Sequence, residues 1–141
     1  MDQLIEFASN NIILAGLWVA LVAMLVYSFV AGFTSPVKEV GTHELTQLVN
    51  KSDAVVLDVR SPKEFKSGHI LGARQLKQEE VKSRDFKKLE NQKDKPIIVV
   101  CAMGSSARAI GNAMAKAGFS NVKVLKGGMN AWQNASLPLA K

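Results

Sequence analysis

Hydrophobic positions follow two different patterns along this chain. From Phe7 to Val37 no side chain is charged, and Ile12 to Phe33 is a run of 22 residues in which only Gly16, Ser28 and Gly32 interrupt the apolar side chains. A helix needs about 20 apolar residues to cross a hydrocarbon core, so one transmembrane helix is predicted over 12–33, behind a short flank at 1–11. A cleaved signal peptide fits poorly. No basic residue precedes the run, and the run exceeds the usual apolar stretch of roughly 7–15 residues. A buried core helix of that length is too long for so small a domain.

Beyond a predicted linker at 34–36, Thr34-Ser35-Pro36, apolar positions come in short groups. Val55-Val56-Leu57, Ile97-Ile98-Val99-Val100 and Val122-Lys123-Val124-Leu125 predict strands, with weaker candidates at Val37–Val40 and Ala73–Leu76. Continuously apolar strands suit a parallel sheet covered on both faces. Helical signals fill the intervals. Thr42 is predicted to cap a helix through Asn50, with Leu45, Leu48 and Val49 on one face. Ser61-Pro62-Lys63-Glu64 combines an N-cap serine, proline in the first helical position and a capping-box glutamate. Val81 to Leu89 is predicted as a helix with Val81, Phe86 and Leu89 inward. Ser106 to Ala117 is Ala-rich and is followed by Gly118 as a C-terminal cap. Gly127-Gly128 opens a last helix containing Ala131 and Trp132. This alternation predicts an α/β domain over 37–141.

Charge is distributed unevenly. All 18 Lys and Arg residues lie at or beyond Lys38, and Asp2 and Glu6 are the only charged side chains before it, so the net charge of +6 becomes +8 for residues 34–141. By the positive-inside rule, Lys38 and Lys51 near the span favour an outer N-terminus and a cytoplasmic domain. A single cysteine forms no internal disulfide and is most easily kept reduced in a cytosol. The basic stretch Lys82–Lys95 also carries Asp85, Glu90 and Asp94, and lacks the interleaved aromatics that stack on nucleic-acid bases. A solvated face, or contact with anionic lipid headgroups, is expected there.

Cys101 follows the strongest strand directly. Ala102-Met103-Gly104-Ser105-Ser106 then lead into the Ala-rich helix. Ligands of open α/β sheets sit at the carboxyl ends of strands, and a helix N-terminus favours an anion. A thiolate is such an anion. Gly104 supplies access to positive φ, so successive amides can turn inward as a nest. The plainer alternative is that Cys101 is a small buried apolar residue. His43 and His69 assemble no metal site with one cysteine.

Four stretches together resemble the rhodanese homology domain, covering about residues 37–138. They are VVLDVRSPKEFKSGHILGA at 55–73, PIIVVCAMGSSAR at 96–108, AGF at 117–119 with VKVLKGG at 122–128, and the Gly-Gly-x-x-x-Trp ending at Trp132. The resemblance implies a parallel sheet flanked by helices. It also implies sulfur transfer without a metal or organic cofactor, in which Cys101 takes a sulfane sulfur as a persulfide and hands it to a thiol-type acceptor. Ala102, Met103, Gly104, Ser105, Ser106 and Arg108 are the expected substrate-binding set. Many active members carry a basic residue within this loop, and this chain has none between Ala102 and Ser106. Thiosulfate as donor is therefore in question, and a catalytically weak module that binds a membrane partner is the alternative. Asp58 and Arg60 are expected to form a structural pair, and His69 to order structure. Related Cys-dependent phosphatases place five residues between Cys and Arg. Here six separate Cys101 from Arg108, and bidentate Arg recognition is geometrically strict.

Overall fold

A computed structural model describes residues 1–33 and 36–141. The chain divides into two compact units, Met1–Ser35 and Pro36–Lys141. In the first, a short helix α1 (Asp2–Asn10) is followed at Asn11 by α2 (Ile12–Phe33). Residues Ile12–Ala31 of α2 are long and apolar enough to cross a membrane, with a mean hydropathy of 2.4. Thr34 and Ser35 of the expected linker lie outside the described residues.

The second unit is built on a five-stranded parallel sheet in the order β1-β5-β4-β2-β3. Its strands are β1 (Lys38–Val40), β2 (Val55–Asp58), β3 (Arg74–Gln75), β4 (Ile97–Val100) and β5 (Val122–Leu125). The two weaker strand candidates became the two edges. β4 lies at the centre, paired with β2 through Val55–Ile97 and with β5 through Ile97–Val122. All four of its side chains are buried. Ile97 and Val99 join one apolar cluster and Ile98 and Val100 the other, as the two-residue period of a strand requires.

Helices cover both faces. One cluster holds Ala107, Ile110 and Met114 of α6 (Ser105–Lys116), with Val81 of α5 (Gln78–Ser83) packed against it. The other holds Leu45 of α3 (Thr42–Ser52), and Met129 and Trp132 of α7 (Gly128–Asn134). The short α4 (Pro62–Ser67) starts with the predicted capping box. Ser61 Oγ accepts from the Glu64 N–H, and the Glu64 carboxylate accepts from the Ser61 N–H at 3.0 Å. α6 is closed beyond Lys116 by Gly118, whose φ is +99°, with Phe119 N–H donating to the Met114 carbonyl and Gly118 N–H to the Ala115 carbonyl. This is the paired closure of a Schellman turn.

Two expectations needed correction. Thr42 does not cap α3. It is the first helical residue, and the extended Gly41 is the cap, with no side-chain bond. The single helix expected over Val81–Leu89 is broken. α5 ends where Arg84 enters the left-handed region at φ +54°, and a 3₁₀ turn follows over Lys87–Gln92. Phe86 and Leu89 are both buried, three residues apart, and the Leu89 N–H donates to the Phe86 carbonyl at 2.9 Å. Three is the period of a 3₁₀ helix, so core anchoring at this spacing favours the tighter turn.

Candidate active-site loop

Cys101 leaves the carboxyl end of β4 and is 5 % exposed. Three residues later Gly104 caps α6 with φ +102° and ψ −19°. That backbone turn is open to glycine and strained for L-residues. It directs the Gly104 N–H at the sulfur, where it donates to Cys101 Sγ across 2.9 Å. A backbone donor of this kind favours negative charge on the sulfur, and the start of a twelve-residue helix adds to the same polarity.

The loop is also held from the other side. The Cys101 carbonyl accepts from the Met129 N–H at 2.8 Å, and the Ala102 carbonyl accepts from the Asn130 N–H at 3.1 Å. Those amides belong to the first turn of α7, where backbone donors have no partner within the helix. The loop carbonyls thus point to one helix N-terminus while Gly104 turns its amide to the thiol. Close approach is required. A Cβ on Gly128 would stand 2.3 Å from the Cys101 carbonyl oxygen and 2.7 Å from that of Ala102. The Gly127-Gly128 pair marked this position in the sequence; the docking of the loop on it did not follow from local pattern.

The expected site residues occupy different settings. Ala102 and Gly104 are half-buried, whereas Ser105 and Ser106 are exposed on the first turn of α6. Met103 is 72 % exposed at the loop apex. Arg108 lies one turn along α6, its N–H donating to the Gly104 carbonyl at 3.3 Å. Its guanidinium is paired with the Glu39 carboxylate on β1. Glu39 was not among the anticipated residues.

Asp58 and Arg60 form a buried structural pair, 1 % and 8 % exposed. The Arg60 guanidinium donates to both carboxylate oxygens and, at 2.8 Å, to the Gly68 carbonyl. Gln78 Nε2 donates to the Val59 and Arg60 carbonyls. The network fixes the segment after β2 without presenting a free charge. His69 stacks on Phe65 with ring centroids 3.9 Å apart, and Nδ1 lies 2.9 Å from the Phe65 carbonyl. Its backbone pairs with Ala140, which ties down the chain end. His43 pairs with Gln47 one turn along α3.

Known proteins resemble this chain in sequence and in fold. The chain is 42 % identical to the uncharacterized protein YibN of Escherichia coli (strain K12), over 100 % of this chain and 99 % of that one. It is 32 % identical to the thiosulfate sulfurtransferase GlpE of Pseudoalteromonas translucida, over 70 % of this chain and 90 % of GlpE. Among solved structures it resembles a Rhodopseudomonas palustris protein of unknown function described as a possible tyrosine phosphatase. The TM-score is 0.65 at 25 % identity, covering 75 % of this chain and 86 % of that one. The profile of the rhodanese-like domain matches residues 41–135. With that match spanning β2 to β5 and the Cys101 loop, the chain belongs to the rhodanese-like domain family.

Proposed function

We propose that this chain is a membrane-anchored sulfurtransferase that carries sulfane sulfur on Cys101. The observation that carries the reading is the Gly104 N–H aimed at Cys101 Sγ across 2.9 Å. In the first half-reaction the Cys101 thiolate attacks the outer sulfur of a donor. A new S–S bond forms at Sγ, the donor's own bond to that sulfur breaks, and its leaving group departs with the electron pair. In the second, an acceptor thiolate attacks the terminal sulfur and Cys101 leaves as thiolate. Sγ carries the negative charge as attacking group of the first step and as leaving group of the second, and a fixed backbone donor lowers the cost of that charge. No cofactor takes part in this scheme.

Anchoring by α2 and a cytoplasmic domain complete the proposal. They are supported by the apolar length of α2 and by the basic residues that follow it. The bilayer, a sulfur donor and a thiol acceptor are the partners required. A phosphatase is disfavoured by the six residues between Cys101 and Arg108 and by the engagement of Arg108 with Glu39.

Intact-mass analysis after incubation with a persulfide donor tests the activity. The full chain gains one sulfur atom, and Cys101→Ser does not, because a hydroxyl is a far weaker nucleophile. The absence of a cation in the loop favours a second reading, a module whose role is to hold a membrane-associated partner. Under that reading Cys101→Ser complements a deletion strain fully, whereas exchange of the apolar helix does not. A reporter fused after Lys141 that is active only on the outer side of the membrane contradicts the orientation.

A further inference from the structure

We propose that Glu39 sets donor selectivity by withholding Arg108 from the sulfur loop; the inference rests on the sulfur-transfer reading above. A dianionic donor such as thiosulfate needs positive charge where it docks. Residues 102–106 supply none. Arg108 stands on the helix that the loop enters and Arg60 follows β2, the strand paired with β4, and each is engaged elsewhere. Arg60 is locked in its buried pair with Asp58 and bonded to the Gly68 carbonyl. Arg108 is paired with Glu39, 69 positions away in sequence, on the edge strand β1.

The two pairs differ in how readily they yield. Arg60 and Asp58 side chains are 7 % and 1 % exposed, so opening that pair strands a charge in the core. Arg108 and Glu39 side chains are 39 % and 41 % exposed. Pairs of that kind are weak and exchange readily with water. Arg108 is also placed to serve the loop if released. It sits one turn below Gly104, to whose carbonyl it donates. One turn is about 5.4 Å, within the length of an extended arginine side chain, and helical side chains lean toward the N-terminus of their own helix. Glu39 therefore acts as a positioning residue. It pairs with the Arg108 guanidinium, which then offers no free positive charge to a dianion. Met103, 72 % exposed at the apex, adds apolar surface to the loop, which suits an organic persulfide. Lys126, exposed after β5, is present in every variant compared.

The test measures initial rates of sulfur loading on Cys101 of the full chain with two probes, thiosulfate and the monoanionic persulfide of mercaptoethanol. The readout is the ratio of the two rates, which a general loss of structure does not change in a donor-specific way. Glu39→Gln is expected to raise the thiosulfate-to-persulfide ratio by about threefold or more, on the scale of an exposed pair released. Glu39→Gln with Arg108→Ala is expected to return it toward the wild-type value. An unchanged ratio in a folded Glu39→Gln protein that loads from the organic persulfide overturns the inference and leaves sulfur transfer standing. A rise that persists in the double variant also overturns it, since the gain then does not run through Arg108. Failure of the wild type to load from either probe overturns the sulfur-transfer reading and this inference with it.

Discussion

Replacing Gly104 by valine puts the loop geometry under direct strain. The residue sits at φ +102°, and a Cβ there would meet the Gly127 nitrogen and the Leu125 carbonyl oxygen at 3.5 Å each. That spacing is ordinary contact, so alanine is penalised by backbone strain alone, about 1–2 kcal/mol. Valine adds methyl groups toward the same backbone and resists positive φ more strongly. The loop can relieve the strain by rotating Gly104, but this turns its N–H away from Cys101 Sγ. A hydrogen bond to a charged group contributes about 1.5–3 kcal/mol. At about 1.36 kcal/mol per tenfold, its loss slows sulfur loading by roughly ten- to a hundredfold. Quenched-flow intact-mass analysis gives the loading rate, and thermal unfolding reports whether the fold persists. Arg108→Ala is expected to cost less, because its guanidinium is already paired with Glu39. A folded Gly104→Val protein that loads at the wild-type rate refutes the reasoning, as does a larger loss in Arg108→Ala.

Three further outcomes follow from the same structure. Asp58→Ala leaves the Arg60 guanidinium buried without its carboxylate and is expected to destabilise the domain by about 3–5 kcal/mol in chemical denaturation. Gly128→Ala forces a Cβ to within 2.3 Å of the Cys101 carbonyl oxygen; loop and helix must separate, so both the melting temperature and sulfur loading fall. At Glu64, bonding to the Ser61 hydroxyl and backbone N–H holds the carboxyl below its ordinary value of 4.5. A depressed folded-state value contributes stability that is complete above the unfolded range and is lost as pH falls through the folded one. Glu64→Ala is therefore less stable than wild type at neutral pH, and the difference narrows on acidification in urea titrations.

What could be read from sequence was what local chemistry determines. Four adjacent β-branched residues at 97–100 marked the central strand, because only a strand covered on both faces buries all four. Ser61 and Glu64 determined the start of α4 through bonds that span three residues. Gly104 was legible as a positive-φ residue, and with it the turn beside Cys101. The break at Arg84 was not, since it depends on Phe86 and Leu89 finding places in a core assembled from distant segments. Nor was the destination of Arg108. Its partner Glu39 sits on an edge strand that reaches α6 only once β1 has paired with β5. The anchoring of the loop by Met129 and Asn130 amides is a backbone interaction, to which side-chain pattern is blind.

The central claim is that sulfur passes through Cys101, and a single-turnover transfer with isotope-labelled sulfur tests it most directly. The full chain is loaded from a donor labelled in its outer sulfur, freed of excess donor and mixed with a thiol acceptor. The account predicts that the label appears first on the peptide containing Cys101 and then, in equal amount, on the acceptor. It also predicts that Cys101→Ser carries none. Label reaching the acceptor at the wild-type rate in Cys101→Ser, or a wild-type protein that takes up no label, contradicts it.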